Sequence, residues 1–413
     1  MIDFSEFKLE NGLRVIVHED PTVQIAVMNI LYDVGSRDES EEKTGFAHLF
    51  EHLMFGGSVN VPNYDEPLQM VGGENNAFTN TDITNYYLTV PAANIETGFW
   101  LESDRMLSLS FDPNVLEVQR KVVIEEFKQR YLNQPYGDVW LKLRPLAYQV
   151  HPYKWATIGK EISHIENATM DDVKSFFFEH YTPNNAVLVV AGNVTHDQVK
   201  NLSEKWFGPI PAGKKLERKL PVEPNQHEKK FLEVKAKVPA DAFYKSWHMP
   251  GRFHNDYYAI DLMSDILSRG QSSRLYQQLV KEQELFTSIS SFVMGTIDPG
   301  LFVISGRVKE GVDLKMAEGA VNKILSDIIT KGVDDEELQK VKNQAESSME
   351  FEKVEVINRA MNLAFSSLSG DANLVNEEGN KINKVTVNDI NRVASTILKE
   401  ENSSVMYYRS VHS

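Results

Sequence analysis

The sequence predicts an α+β protein made of two homologous halves, and three observations carry that expectation. Strand and helix patterns are interleaved without the strict β-α-β alternation of a doubly wound parallel sheet. A stretch rich in Pro, Gly and Lys divides the 413 residues near the middle. A capped helix start followed by a strand occurs at Thr169 and again, about half a chain later, at Thr386.

The elements follow in order. Glu6-Phe7-Lys8-Leu9 alternates polar and apolar residues and turns at Asn11-Gly12 into Leu13-Arg14-Val15-Ile16-Val17, a hairpin signal. Val23 to Tyr32 reads as a further strand. Helical patterns follow around residues 46–55, 63–71, 92–107, 113–131 and 170–180, and Ala186 to Ala191 is an apolar strand run. Residues 208–230 read as a linker, with Gly208-Pro209-Ile210-Pro211-Ala212-Gly213 followed by lysines, Pro221 and Pro224. The expected domains are therefore 1–207 and 231–413. Thr169-Met170-Asp171-Asp172 opens a helix that leads into Ala186-Val187-Leu188-Val189. Thr386-Val387-Asn388-Asp389 opens another that leads into Val405-Met406-Tyr407-Tyr408. One such cap is common by chance; the matched helix-then-strand at half-chain spacing points to a duplicated domain.

Composition narrows the classes. Hydrophobic residues at 42% and charged residues at 25% describe a globular chain. No apolar run approaches the roughly 20 residues that span a bilayer. Acids stand in Met1-Ile2-Asp3-Phe4-Ser5-Glu6 where a signal peptide would carry a basic and then an apolar region. The expectation is a soluble chain with no membrane partner, cytoplasmic if complete. A net charge of −16 works against a nucleic-acid groove and leaves a cationic or unfolded peptide as the more natural partner. The absence of cysteine excludes thiolate ligands, thiol nucleophiles and disulfides.

The chemistry concentrates in "HLFEHLMFGG", residues 48–57. Residues four apart share a helix face, so His48 and His52 can aim at one atom, with Glu51 beside them. Thr44-Gly45 and Gly56-Gly57 supply a cap at each end. A lone histidine on an apolar face is usually a hydrogen-bonded core residue. Two histidines and a carboxylate among Phe46, Leu49, Phe50, Leu53, Met54 and Phe55 are expensive unless something satisfies them, and a metal does so. A third ligand is expected on the helix opened by Asp112-Pro113. There Glu126 shares a stripe with Val115, Val118 and Val122, the expected inward face, whereas Glu125 falls with Lys121 and Lys128 on the charged one.

His48-x-x-Glu51-His52 with a later Glu126 resembles the inverted zinc motif of the pitrilysin family, the inverzincins. "DVGSRDE" at 33–39, "NNAFTNTDITNYY" at 75–87, "PYG" at 135–137 and "SSRLYQQL" at 272–279 extend the resemblance along nearly the whole chain. It implies two homologous α/β domains, each a mixed, mainly antiparallel sheet packed with helices. It also implies a zinc-dependent endopeptidase for extended or unfolded peptides, with one Zn²⁺ per chain held by His48, His52 and Glu126. Glu51 would be the base that takes a proton from the attacking water. Peptide would pair with the edge segment Asn76-Ala77-Phe78-Thr79; an ordinary edge strand is the plain alternative. Where the family often has a glutamate seven residues before the last ligand, this chain has Gln119, a residue for orienting a ligand or water. The chain departs from the family again at Val280 and Thr287, in place of an arginine and a tyrosine that reach the substrate carbonyl. Arg274 and Tyr276 lie nearby but on different sides of a helix. A homologous partner chain supplying the missing Arg and Tyr, in a heterodimer, is the favoured arrangement over a homodimer. The competing class is a non-catalytic peptide-binding or assembly subunit.

Overall fold

The computed structural model describes residues 1–411. Strands β1 (Ser5–Lys8), β2 (Arg14–Glu19) and β3 (Ile25–Tyr32) precede helices α1 (Phe46–Leu53) and α2 (Asp65–Met70). Strands β4 (Glu74–Thr79) and β5 (Thr84–Pro91) lead to α3 (Ile95–Leu107), α4 (Pro113–Phe127) and α5 (Val139–Ala147). Then come α6 (Ile162–Glu166), α7 (Met170–His180), β6 (Ala186–Gly192) and α8 (His196–Trp206). The second half runs β7 (Lys230–Ala236), β8 (Ala242–Met249), α9 (Tyr257–Ser268), β9 (Phe286–Met294) and β10 (Gly300–Val308). It continues through α10 (Leu314–Lys331), α11 (Asp335–Glu352), α12 (Val356–Ser367), α13 (Leu374–Lys384) and α14 (Val387–Ile397) to β11 (Ser403–Ser410).

The two sheets carry the duplication. The first has the order β1-β2-β6-β3-β5-β4 and the second β7-β11-β8-β10-β9. With β1 set aside the orders coincide: β2 and β6 pair in parallel, as do β7 and β11, and every other pairing is antiparallel. The repeated caps form as the sequence predicts. Asp172 N donates to Thr169 Oγ1 at 3.2 Å and Thr169 N to Asp172 Oδ2 at 3.1 Å; the Thr386 and Asp389 pair makes the same bonds at 3.2 and 2.9 Å. Each reciprocal pair satisfies two main-chain donors at a helix start.

The domain boundaries differ from the expected 1–207 and 231–413. One compact unit holds residues 1–130, 155–221 and 350–377; the other holds 131–154, 222–349 and 378 onward. Each half of the sequence therefore gives one helix to the other half's sheet. In the first unit, α12 buries Val356, Ala360, Leu363 and Ala364 against Val27, Leu31, Val187 and Val189 of β3 and β6. In the second, α5 buries Val139 and Leu143 against Ala242, Tyr244, Met406 and Tyr408. The expected linker does lack helix and strand from 208 to 229, but it is not a loose spacer. Arg218 donates to Asp38 Oδ1 at 2.6 Å and to the Asp33 carbonyl at 2.7 Å within the first unit. Glu223 accepts from the main-chain N–H groups of Gln149, Val150 and His151 in the second. No helix among the described residues is long and apolar enough to cross a membrane.

Candidate metal centre

Helix α1 carries the paired histidines, and its start is set by Glu39 rather than by a side-chain cap on Thr44. The Glu39 carboxyl accepts from Gly45 N and Ala47 N, both at 2.9 Å, so its oxygens satisfy donors at the helix start, while burial pushes its titration up to about 8. Gly45 has φ +88°, and a Cβ there would lie 2.7 Å from the Ile158 carbonyl oxygen, so the position requires glycine. Thr44 faces elsewhere, accepting from Lys160 N at 2.7 Å. Beneath the helix, Tyr86 donates to the Phe50 carbonyl at 3.3 Å, and the fully buried Arg105 stacks on Tyr86, Tyr64 and Phe55 while pairing with Glu102. The stretch 33–39 is thus platform: Arg37 is buried and paired with Asp33 and Asp82.

Helix α4 brings Glu126. Gly56, just past α1, lets α4 come close; a Cβ there would be 2.3 Å from Val115 Cγ1. The expected inward stripe is not the buried one. Val118 and Val122 are 55% and 43% exposed, and Leu116, Val123 and Phe127 form the buried face. Glu126 sits at the border of the two faces, and Glu125 is exposed and paired with Lys128 at 2.7 Å.

His48 Nε2 and His52 Nε2 each lie 3.6 Å from Glu126 Oε2. The three donors fall within 4.8 Å of one another, and no other group of His, Asp or Glu does so among the described residues. Ligands about 2.0–2.1 Å from a tetrahedral zinc lie roughly 3.3 Å apart, close to the 3.6 Å that separates each histidine nitrogen from the Glu126 oxygen. Burial, with smaller contributions from His52 and Arg130, holds the His48 ring down to about 4. The imidazole is then neutral at physiological pH, as ligation requires. Glu126 is held below the usual carboxylate range first by its hydrogen bond with His52, against the opposing effect of burial. His48 Nδ1 is buried without a hydrogen-bond partner.

One contact escaped the sequence reading. Arg130 Nη1 lies 2.8 Å from Glu126 Oε1, so one carboxylate oxygen is tied to a guanidinium while the other faces the imidazoles. The i,i+4 spacing was the available signal. Arg130 belongs to a π-helical turn, Lys128–Leu132, that continues α4.

Glu51 is half-buried beside the pair, and burial raises its carboxyl above the ordinary value; Thr79 and His52 pull it back. Thr79 Oγ1 is buried and makes no hydrogen bond of ordinary geometry. Thr79 ends β4, the edge strand of its sheet, so Asn76, Ala77, Phe78 and Thr79 do lie on a sheet edge that closes on Glu51. Gln119 makes no hydrogen bond to His48, Glu51, His52 or Glu126 among the described residues, so its expected orienting role gains no contact. In the second unit Val280 packs against the core and the Thr287 hydroxyl donates to the Arg307 carbonyl at 3.2 Å. Arg274 is committed to Glu337 at 2.7 Å and to the Gly332 carbonyl at 3.0 Å.

Residues 14–159 match the family model described as insulinase (peptidase family M16), and residues 167–345 match that of the peptidase M16 inactive domain. The Helicobacter pylori zinc protease PqqE is 28% identical over 410 residues, 97% of this chain and 91% of that protein. The Bacillus subtilis uncharacterized zinc protease YmxG is 26% identical over 404 residues, 96% of each. A crystal structure of a protease from Helicobacter pylori superposes with a TM-score of 0.93 at 26% identity, covering 99% of this chain and 100% of that one.

Proposed function

The chain belongs to the insulinase, or pitrilysin, family of peptidases, family M16, and on that premise we propose that it is a zinc-dependent endopeptidase for extended or unfolded peptides. The observation that carries the reading is the convergence of His48 Nε2, His52 Nε2 and Glu126 Oε2 from separate helices. These three residues would hold one zinc ion, which when bound polarises the attacked carbonyl and makes water acidic enough to attack at neutral pH. Glu51 receives the proton of the attacking water and passes it to the leaving amine. Its raised carboxyl suits that exchange, because a base poised closer to neutrality both accepts and returns a proton.

The substrate strand would add to β4. The outer edge of that strand has no partner among the described residues, and its last residue, Thr79, adjoins Glu51. Main-chain pairing grips any extended peptide and brings its carbonyls past the base, leaving selectivity to side-chain pockets. No arginine or tyrosine stands at positions 280 and 287 to stabilise an oxyanion, and Arg274 is held by Glu337, which supports the assignment of this chain as the zinc-bearing subunit of a dimeric peptidase whose homologous partner supplies those groups. The same substitutions favour the second reading, a non-catalytic peptide-binding or assembly subunit, over a self-sufficient enzyme.

Glu51→Gln separates the two. The variant is expected to retain zinc and to hydrolyse an unstructured peptide about 10²–10⁴-fold more slowly than the native chain assayed with its partner. Wild-type hydrolysis by the variant removes Glu51 as the base, and a native chain that binds peptide without cutting it under any pairing establishes the assembly role.

A further inference from the structure

The "PYG" segment plays no part in the metal centre, yet its backbone is unusual. Tyr136 has φ +62°, a left-handed conformation that a bulky side chain rarely adopts. The conformation is held from both sides: Tyr136 OH donates to the Ala240 carbonyl at 2.6 Å and accepts from Ala240 N at 3.0 Å. What the held ring presents is a face for Arg307, whose guanidinium carbon lies 3.6 Å from the ring centroid. Arg307 also donates to Tyr244 OH at 2.7 Å, and no carboxylate is paired with it among the described residues. A half-buried cation is thus oriented by stacking and one hydrogen bond, with the rest of its donor fork unspent.

That fork lines a cavity of about 510 Å³ belonging wholly to the second unit. Arg307 is the one charged residue among its described walls; the others include the hydroxyls of Ser288, Ser290 and Ser305 and the rings of Trp140 and Phe292. In a chain of net charge −16, a solitary arginine among hydroxyls and aromatic rings is a local inversion of sign. An unpaired guanidinium matches a carboxylate in two parallel hydrogen bonds, and the serines can donate to the same oxygens. The volume lies within the range that takes whole organic ligands and is far larger than an inorganic anion needs. The rings offer an apolar body its burial.

We propose that the Arg307 cavity is a binding site for a carboxylate carried on an apolar or aromatic body, and that its occupant is the C-terminal residue of a peptide. The choice of a peptide rests on the peptidase reading; the carboxylate chemistry does not. The test is calorimetric titration of the full chain with N-acetyl-Ala-Ala-Phe, its C-terminal amide, benzoate and inorganic phosphate, in the Glu51→Gln background so that peptide survives. The free acid is expected to bind at least about tenfold more tightly than the amide. Arg307→Gln is expected to abolish that preference and Arg307→Lys to keep part of it. Ser290→Trp, at an exposed strand position, fills the cavity with the Arg307 stack intact and is expected to block binding even if Arg307→Gln disturbs the fold. Equal affinity for acid and amide, or an acid preference that survives both Arg307→Gln and Ser290→Trp, overturns the proposal. Phosphate competing as well as the peptide acid overturns it in favour of a general anion site, and benzoate binding without the peptide overturns the peptide as occupant. Failure of the native chain, alone and with its partner, to hydrolyse peptide, with these titrations as expected, removes the peptidase reading and leaves the carboxylate site standing.

Discussion

Glu126 has two oxygens with different neighbours, and the division matters for the metal. Oε2 faces both imidazoles and Oε1 is fixed by Arg130, so the ion pair orients a ligand that would otherwise rotate. Arg130→Ala is expected to weaken zinc retention by about tenfold or more in chelator competition, with Arg130→Lys recovering part of the loss. Unchanged retention would mean that the pair is a solvent-screened surface contact of little energetic weight. The paired histidines and Glu51 were legible in the sequence because helical spacing alone puts them together. Glu126 was legible for a reason the structure corrects. Val118 and Val122 looked like core, but apolar character does not reveal which face a helix buries when its neighbours are unknown. Glu39, which fixes the start of α1, was not legible as such: its six-residue separation from Gly45 is bridged by an irregular loop with no period to read.

Helices are held to their sheets by particular charges as well as by apolar stripes. Arg359 on α12 pairs with Asp20 at 2.8 Å and also meets His18 Nε2 at 2.8 Å. Hydrogen bonds from Thr22 and then Arg359 hold the Asp20 carboxyl down to about 2 from an ordinary 3.8. A carboxyl lowered on folding stabilises the native state wherever it is ionised in both states, and that contribution disappears as the folded state too becomes protonated. Asp20→Asn is therefore expected to lower the melting temperature above pH 3.8, with the gap to the native chain closing as pH falls through about 2. A gap independent of pH across that window would assign the loss to packing. The elements that the sequence did indicate, among them β3, α3, α4, α7 and β6, lie within a few residues of their expected places, because each carries its own period. Thr169 and Thr386 show this most directly, since the same cap residue and acid recur with the same pair of bonds.

The molecule as a whole is a duplication with a helix exchanged between its halves. The duplication could be read, because a capped helix leading into a strand recurs at half-chain spacing; the exchange could not. Helices α5 and α12 each carry an apolar stripe that needs a sheet to cover, and nothing in the stripe says whose. The exchange makes the halves interdependent. Fragments 1–207 and 231–413 expressed separately are expected to aggregate or remain unfolded by circular dichroism, because the first lacks α12 over Val27, Leu31, Val187 and Val189 and the second lacks α5 over Tyr244 and Met406. Co-expressed, they are expected to associate and fold. Two separately stable, monomeric fragments would contradict the exchanged architecture. Zinc chemistry here depends most on the convergence of side chains 48, 52 and 126 on one ion, and anomalous diffraction at the zinc absorption edge measures it directly. The prediction is a single peak per chain about 2.0–2.1 Å from both Nε2 atoms and a Glu126 oxygen. A zinc-supplied crystal with no peak there, or with its only peak on other residues, would contradict it.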